Sequence, residues 1–103
     1  MAVKKKEQTQ SDLLYESILT LQSVEECKNF FKDLCTMSEL HAMEQRLEVA
    51  ILLSGGMIYT DILERTGASS ATISRVNRAL QYGADGYQTV LPRIQELLKD
   101  REA

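Results

Sequence analysis

Between Ser69 and Arg78 the chain sets Ser69, Ser70, Thr72, Ser74, Arg75, Asn77 and Arg78 close together, with no acid among them. These are the side chains that bond to nucleic acid. Arginine reaches guanine in a bidentate manner, asparagine pairs with adenine, and small hydroxyl residues let a backbone approach phosphates and base edges. Their spacing suits the outer face of a helix, because Ile73, Val76 and Leu80 recur at i, i+3 and i+7 and would be buried beneath it.

The elements that would position this face lie on either side of Gly67. Residues 59–80, YTDILERTGASSATISRVNRAL, read as a helix-turn-helix, the unit that places a helix in the major groove of DNA. Thr60 is the expected N-cap of the first helix, and Asp61 sets negative charge against the positive end of its macrodipole. Ile62 and Leu63 form the apolar side of that helix, with Glu64 and Arg65 outward. Gly67 stands where a chain leaving a helix commonly needs φ > 0, and Ser69 or Ser70 caps the next helix. A plain two-helix hairpin with a solvated outer face would use the same turn. The Arg, Asn, Ser and Thr content of that face favours the DNA-reading motif.

Charge argues both ways. The chain of 103 residues has a formal net charge of −3, which is not the basic balance usual for nucleic-acid binding. Arg65, Arg75 and Arg78, however, lie in a stretch from residue 65 to 82 that holds no acid. Residues 7–56 hold acids in excess over Lys28, Lys32 and Arg46, so positive potential is local to the motif.

With one proline and five glycines the chain lacks the punctuation of a β fold and reads as helices throughout, in a single helical domain over residues 11–103. Residues 1–10 are polar and are expected to form a disordered arm, in which Lys4, Lys5 and Lys6 serve solubility more readily than DNA contact. A first helix follows from Ser11 with Leu13, Leu14, Ile18 and Leu21 apolar. Ser23 with Glu26 and Thr36 with Glu39 are capping boxes that open two more helices. The second of these is expected to bury Val24, Cys27, Phe30, Phe31 and Leu34, and the third Leu40, Met43, Leu47, Ala50, Ile51 and Leu53, ending at Gly55–Gly56. The last segment, 87–100, carries Val90, Leu91, Ile94, Leu97 and Leu98 as its apolar stripe. Pro92 should stand near its first turn or kink it. Several of these segments are apolar over a wider arc than one partner helix covers, which points to a homodimer made by the helices outside 59–80.

Other chemistry is poorly represented. Cys27 and Cys35 on one helix would stand about 12 Å apart, too far for a disulfide, and read as small buried hydrophobes. A single histidine, His41, with no CxxC spacing argues against zinc, and its position on a polar helix surface suggests a solvated side chain. No paired carboxylates, activated nucleophile or phosphate loop suggests an enzyme. The N-terminal MAVKKKEQTQ has charge but no apolar stretch behind it, and no run reaches the length of a membrane span, so a cytoplasmic protein is expected.

The strings LCTMSELHAMEQRLEVAILLSGG and TDILERTGASSATISRVNRAL resemble the tryptophan-repressor superfamily, and more closely its uncharacterised Gram-positive-type branch. The resemblance covers about residues 11–99. It implies an all-α, six-helix, intertwined homodimer whose fourth and fifth helices form the DNA-reading head, and sequence-specific transcriptional control, usually repression. It also implies a ligand pocket in which two arginines sandwich L-tryptophan, aided by a threonine. Arg46, Arg75 and Thr36 fall at or near those positions, with a one-residue gap needed between Arg46 and Gly55. The family pattern then has a glycine directly after the second arginine and a serine three residues later, where this chain has Val76 and Ala79. An isopropyl group fills pocket volume and a methyl replaces no hydroxyl, so the pattern argues against tryptophan as a cofactor and leaves an unidentified small-molecule effector open. Arg75 has a plainer use in holding a phosphate.

Two functions from different classes follow. One is a dimeric regulator that binds double-stranded DNA; the other is a helical protein-interaction module whose former reading head no longer binds DNA, which the acidic charge would suit.

Overall fold

The computed structural model describes the backbone of residues 2–102 and the side chains of residues 10–102. Six helices follow in order: α1 (Ala2–Leu19), α2 (Val24–Leu34), α3 (Met37–Ser54), α4 (Tyr59–Thr66), α5 (Ser70–Tyr82) and α6 (Gly86–Glu102). Contacts divide the chain into two compact units, Met1–Leu40 and His41–Ala103. Among the described residues no helix is long and apolar enough to cross a membrane.

In the first unit the backbone is helical from Ala2, well before the expected start at Ser11. Ala, Lys, Glu and Gln are strong helix formers, so the polar segment read as a disordered arm extends α1 instead. Its side chains, Lys4, Lys5 and Lys6 included, lie outside the described residues. The helix closes through Thr20, whose N–H and hydroxyl both donate to the Ser17 carbonyl.

Ser23 caps α2 as expected, its hydroxyl accepting from the Glu26 N–H at 3.0 Å, but the Glu26 carboxylate accepts from Gln22 N–H rather than closing the box on Ser23. At α3 the box is complete: Thr36 Oγ1 accepts from Glu39 N–H at 3.1 Å, and Glu39 Oε1 accepts from Thr36 N–H at 2.8 Å. No residue from 10 to 40 is buried, and Leu19 and Val24 are 84% and 70% exposed. Cys27 and Cys35 are half-buried free thiols rather than core residues, and α2 buries none of its side chains.

The second unit holds the core: Val49, Ala50, Ile62, Ala68, Ile73, Val76 and Leu91, drawn from α3, α4, α5, α6 and the turn at residue 68. The expected register of α3 holds in part: Ala50 is buried and Ile51 and Leu53 pack against the core, while Val49, which was not expected, is buried too. Val49 and Ala50 are fully buried, whereas Met43 and Leu47 are each 39% exposed and Ile51 and Leu53 are half-buried. At 100° per residue the apolar side chains of α3 fall on one wide arc, from Val49 and Leu53 through Ala50 to Met43, Leu47, Leu40 and Ile51. Its Val49 edge is buried in the core, and Met43 and Leu47 remain exposed.

Gly55–Gly56 ends α3 in a Schellman arrangement, with Met57 N–H bonded to the Leu52 carbonyl, Gly56 N–H to Leu53, and Gly56 at φ 90°. Pro92 departs from expectation. The helix α6 begins at Gly86 and runs through Pro92, so the proline lies in its interior rather than in its first turn. Its missing N–H leaves the Gln88 carbonyl without its i+4 donor. Leu91, beside it, is only 8% exposed and packs into the core, which gives the helix a reason to continue.

Hydrogen bonding from Thr36, its backbone N–H first and then its side chain, holds the Glu39 carboxyl below its ordinary value. A carboxylate with a depressed folded pKa stabilises the fold above the unfolded value, about 4.3, and loses that contribution as pH falls through the folded value. Thermal unfolding of Glu39→Ala should therefore show a loss of stability at pH 7 that shrinks as pH is lowered below about 4. An unchanged difference at both pH values would remove the carboxylate from the account.

Candidate nucleic-acid interface

The helix-turn-helix is built from local bonds that fix where α5 starts. The N-cap of α4 is Ile58, in extended conformation and with no side-chain bond, so the expected capping role of Thr60 is not realised; Thr60 lies inside the first turn with Asp61. Asp61 and Arg65 do stand at the helix ends where the macrodipole favours them. The turn carries the specificity. Gly67 sits at φ 71° with its N–H on the Leu63 carbonyl. Thr66 Oγ1 donates to the Ile62 carbonyl at 2.7 Å and accepts from Ala68 N–H at 3.0 Å, and Ala68 is buried. Gln45 of α3 adds a tether by donating from Nε2 to the Thr66 carbonyl at 3.3 Å.

Ser69 caps α5, accepting from Thr72 N–H at 3.1 Å and meeting Thr72 Oγ1 at 3.0 Å. Burial of Ile73 and Val76, at 0% and 1% exposure, fixes the rotation of α5 about its axis. The opposite side therefore carries Ser70, Ser74, Arg75 and Arg78 exposed, with Thr72 and Asn77 half-buried at its flanks.

Ser74, Arg75, Asn77 and Arg78 line one open groove together with Tyr59, Ala71, Gln81 and Tyr82. Ser69, Ser70 and Thr72 stand at the N-terminal end of the same helix and outside that groove. Among the described residues none of Arg65, Arg75 and Arg78 forms an ion pair; the acids that pair are Glu44 with His41 and Glu96 with Lys99, each at 3.6 Å and all well exposed. Guanidinium groups without carboxylate partners remain available to phosphate or base oxygens.

Four groove residues, Tyr59, Ala71, Gln81 and Tyr82, are not among the expected contact residues. Gln81 and Tyr82 lie one and two residues beyond the segment that was considered, and Tyr82 is 81% exposed. The i+4 spacing of Gln81 from Asn77 and of Tyr82 from Arg78 was the available signal. Tyr59 opens the motif, and its type alone signals no contact.

The three residues suggested for a ligand pocket have other surroundings. Thr36 is engaged in capping α3 within the first unit. In the second, Arg46 is half-buried and Arg75 exposed in the reading groove, which Arg46 does not line. Val76 is part of the apolar core, so an isopropyl group occupies the space directly after Arg75.

The family model of the Trp repressor protein matches residues 9–95. The chain belongs to the Trp repressor family. Its Bacillus subtilis (strain 168) relative YerC, described as uncharacterised, is 49% identical over 96 residues, covering 93% of this chain and 92% of that protein. A crystal structure of a Staphylococcus aureus protein provisionally assigned as a Trp repressor superposes with a TM-score of 0.83 at 45% identity, over 92% of this chain and 95% of the other. A TrpR-like protein from Eubacterium eligens gives 0.81 at 48% identity, over 88% and 95% of the two chains. The six-helix all-α fold expected from the sequence is therefore the fold of this family.

Two glycines of the reading head should respond differently to alanine. At Gly67 nothing lies within 4 Å of a built Cβ, so only the positive φ opposes substitution, at about 1–2 kcal/mol. At Gly83 a Cβ would overlap the Ala79 carbonyl oxygen in the last turn of α5, backbone that cannot move without disturbing the helix end. Urea unfolding should rank Gly83→Ala as the more destabilised of the two, and the reverse order would contradict this geometry.

Proposed function

We propose that this Trp repressor family member is a sequence-specific DNA-binding transcriptional regulator, most simply a repressor, working as a homodimer that presents two helix-turn-helix heads. The observation that carries the reading is the outer face of α5. Arg75, Arg78, Asn77 and Ser74 share one groove, the arginines have no acidic partner among the described residues, and the left-handed turn at Gly67 ends α4 just before α5 begins, as the motif requires. Ser69, Ser70 and Thr72 at the start of the same helix suit phosphate contacts, since they surround a helix N-terminus. Ser70 is exposed and unobstructed there, while Ser69 and Thr72 would exchange their mutual bond for phosphate oxygens.

A dimer is supported by what the single chain leaves uncovered. Met43 and Leu47 on α3, and the exposed Leu13, Leu19, Val24, Leu34 and Leu97, are apolar side chains that a second copy would take out of water. A two-fold pair buries them and places two reading helices for half-sites about one DNA turn apart.

The net charge of −3 also suits a reading in which the head docks on a protein, and salt separates the two. Contacts to several phosphates release counterions, so affinity should fall steeply with salt. Mobility-shift assays on genomic fragments should show binding at 50 mM salt that weakens by orders of magnitude at 200 mM, and Arg75→Ala and Arg78→Ala should each weaken it further while leaving the dimer folded. Absence of any bound fragment at low salt would end the regulator reading.

Control by tryptophan is disfavoured because Val76 fills the position where the family pattern leaves room. Calorimetry with millimolar L-tryptophan should give no heat of binding. A saturating isotherm would show that the core around Val76 opens to admit the indole.

A further inference from the structure

On the outer side of α5, Gln81 Nε2 donates to Asn77 Oδ1 at 3.4 Å, one helical turn away. An asparagine amide is nearly symmetric in shape but not in chemistry: one end accepts and the other donates. Left alone on a surface, it samples both orientations. Here Asn77 is half-buried on one flank, and the donor from Gln81 engages its oxygen, so the amide is biased toward one of the two. The Asn77 oxygen keeps a second lone pair and the whole Nδ2 amino group remains uncommitted. A group offering one acceptor and one donor side by side matches the major-groove edge of adenine, which presents N6–H₂ and N7. It does not match guanine, whose two acceptors in that groove call for two donors, as Arg78 provides one turn-face away.

We infer that Gln81 is a specificity-positioning residue that sets the amide of Asn77 to read an adenine in the operator half-site. The inference rests on the DNA-binding function proposed above. Gln81 need not touch the base. Its role is to hold the Asn77 oxygen so that the adenine N6 amino group meets an acceptor and N7 meets a donor, and hydrogen bonds in such a chain reinforce one another.

Replacing Gln81 has two informative forms. In Gln81→Ala the bias is removed and the amide turns freely. In Gln81→Glu the new carboxylate accepts from Asn77 Nδ2 instead, which turns the amide around, so that the acceptor and the donor offered to the base exchange places. Glutamate also repels phosphates, so the readout must be a ratio between two DNA sites and not affinity itself.

The test uses the full chain. Duplexes bound by the parent protein are selected from a random pool, and each adenine of the resulting half-site is then replaced by 7-deazaadenine, which lacks the N7 acceptor. The expected result is one adenine whose replacement lowers affinity in the parent protein, with discrimination against the other bases of roughly 5- to 100-fold. Asn77→Ala should be insensitive to 7-deazaadenine at that position. Gln81→Ala should lose part of the discrimination, about three- to tenfold, and Gln81→Glu more, with both variants still binding DNA. If the parent protein selects a motif but no adenine in it couples to Asn77, or if Gln81→Ala leaves the ratio unchanged, the inference about Gln81 is overturned while the regulator function stands. If the parent protein selects no motif at all, the regulator function itself fails and this inference with it.

Discussion

Burial of Ile73 and Val76 is the contact on which the remaining geometry depends. A helix of thirteen residues with one narrow apolar side can be anchored in only one rotation, and these two side chains, almost wholly removed from water, set it. Every polar residue on the other side is placed by that choice. Truncation of Ile73 would remove one of the largest fully buried side chains, at a cost of about 2–5 kcal/mol, and would free the helix to roll. The turn at Gly67 and the Gln45 tether to the Thr66 carbonyl fix where α5 begins, but they do not fix which way it faces.

Val76 does two things at once. Its side chain completes the apolar cluster, and it stands directly after Arg75, where the family pattern has a residue without a side chain. A glycine here would forfeit packing and raise the cost of ordering the helix by up to about 1 kcal/mol, while leaving room for a ligand. Valine reverses both terms. The helix gains internal packing from Val76.

Those parts of the structure set by local chemistry were legible in the sequence. Gly67, the Ser69 cap, the complete Thr36–Glu39 box and the Gly55–Gly56 terminus each depend on a few adjacent residues, and each stands where residue type required. The differences arise where distant packing decides. The expected stripe of α3 takes in Ala50, Ile51 and Leu53 but includes the exposed Met43 and Leu47 and omits the buried Val49, because the packing of α4 and α5 decides which edge of a wide apolar arc is covered. Thr60 has the right chemistry for a cap, yet the helix starts one residue before it, because a cap is favoured by only about 1 kcal/mol and nearby packing readily outweighs that. Pro92 shows the same competition with a larger penalty: about 3 kcal/mol against a helix interior is outweighed where Leu91 and Ile94 both need that helix to reach the core. The recognition residues from Ser69 to Arg78 were visible by type, whereas Gln81 was not, since its contribution lies in a neighbour's orientation.

An acidic chain with the proposed DNA-binding function needs its positive charge segregated, and the distribution along this chain is of that kind. Arg65, Arg75 and Arg78 occupy a stretch without acids, and the exposed acids of α3, Glu44 and Glu48, line a different groove with His41 and Gln45. At physiological salt the Debye length is about 8 Å, so a phosphate in contact with the outer face of α5 responds mainly to the arginines and is largely screened from exposed charges farther away than that length. The net charge then weakens nonspecific attraction to DNA at long range without removing the short-range contacts that choose a site. A protein of this kind would hold few nonspecific sites and depend on base contacts for its affinity, which gives the amide of Asn77 and the guanidinium of Arg78 more of the discrimination than they would carry in a strongly basic reader.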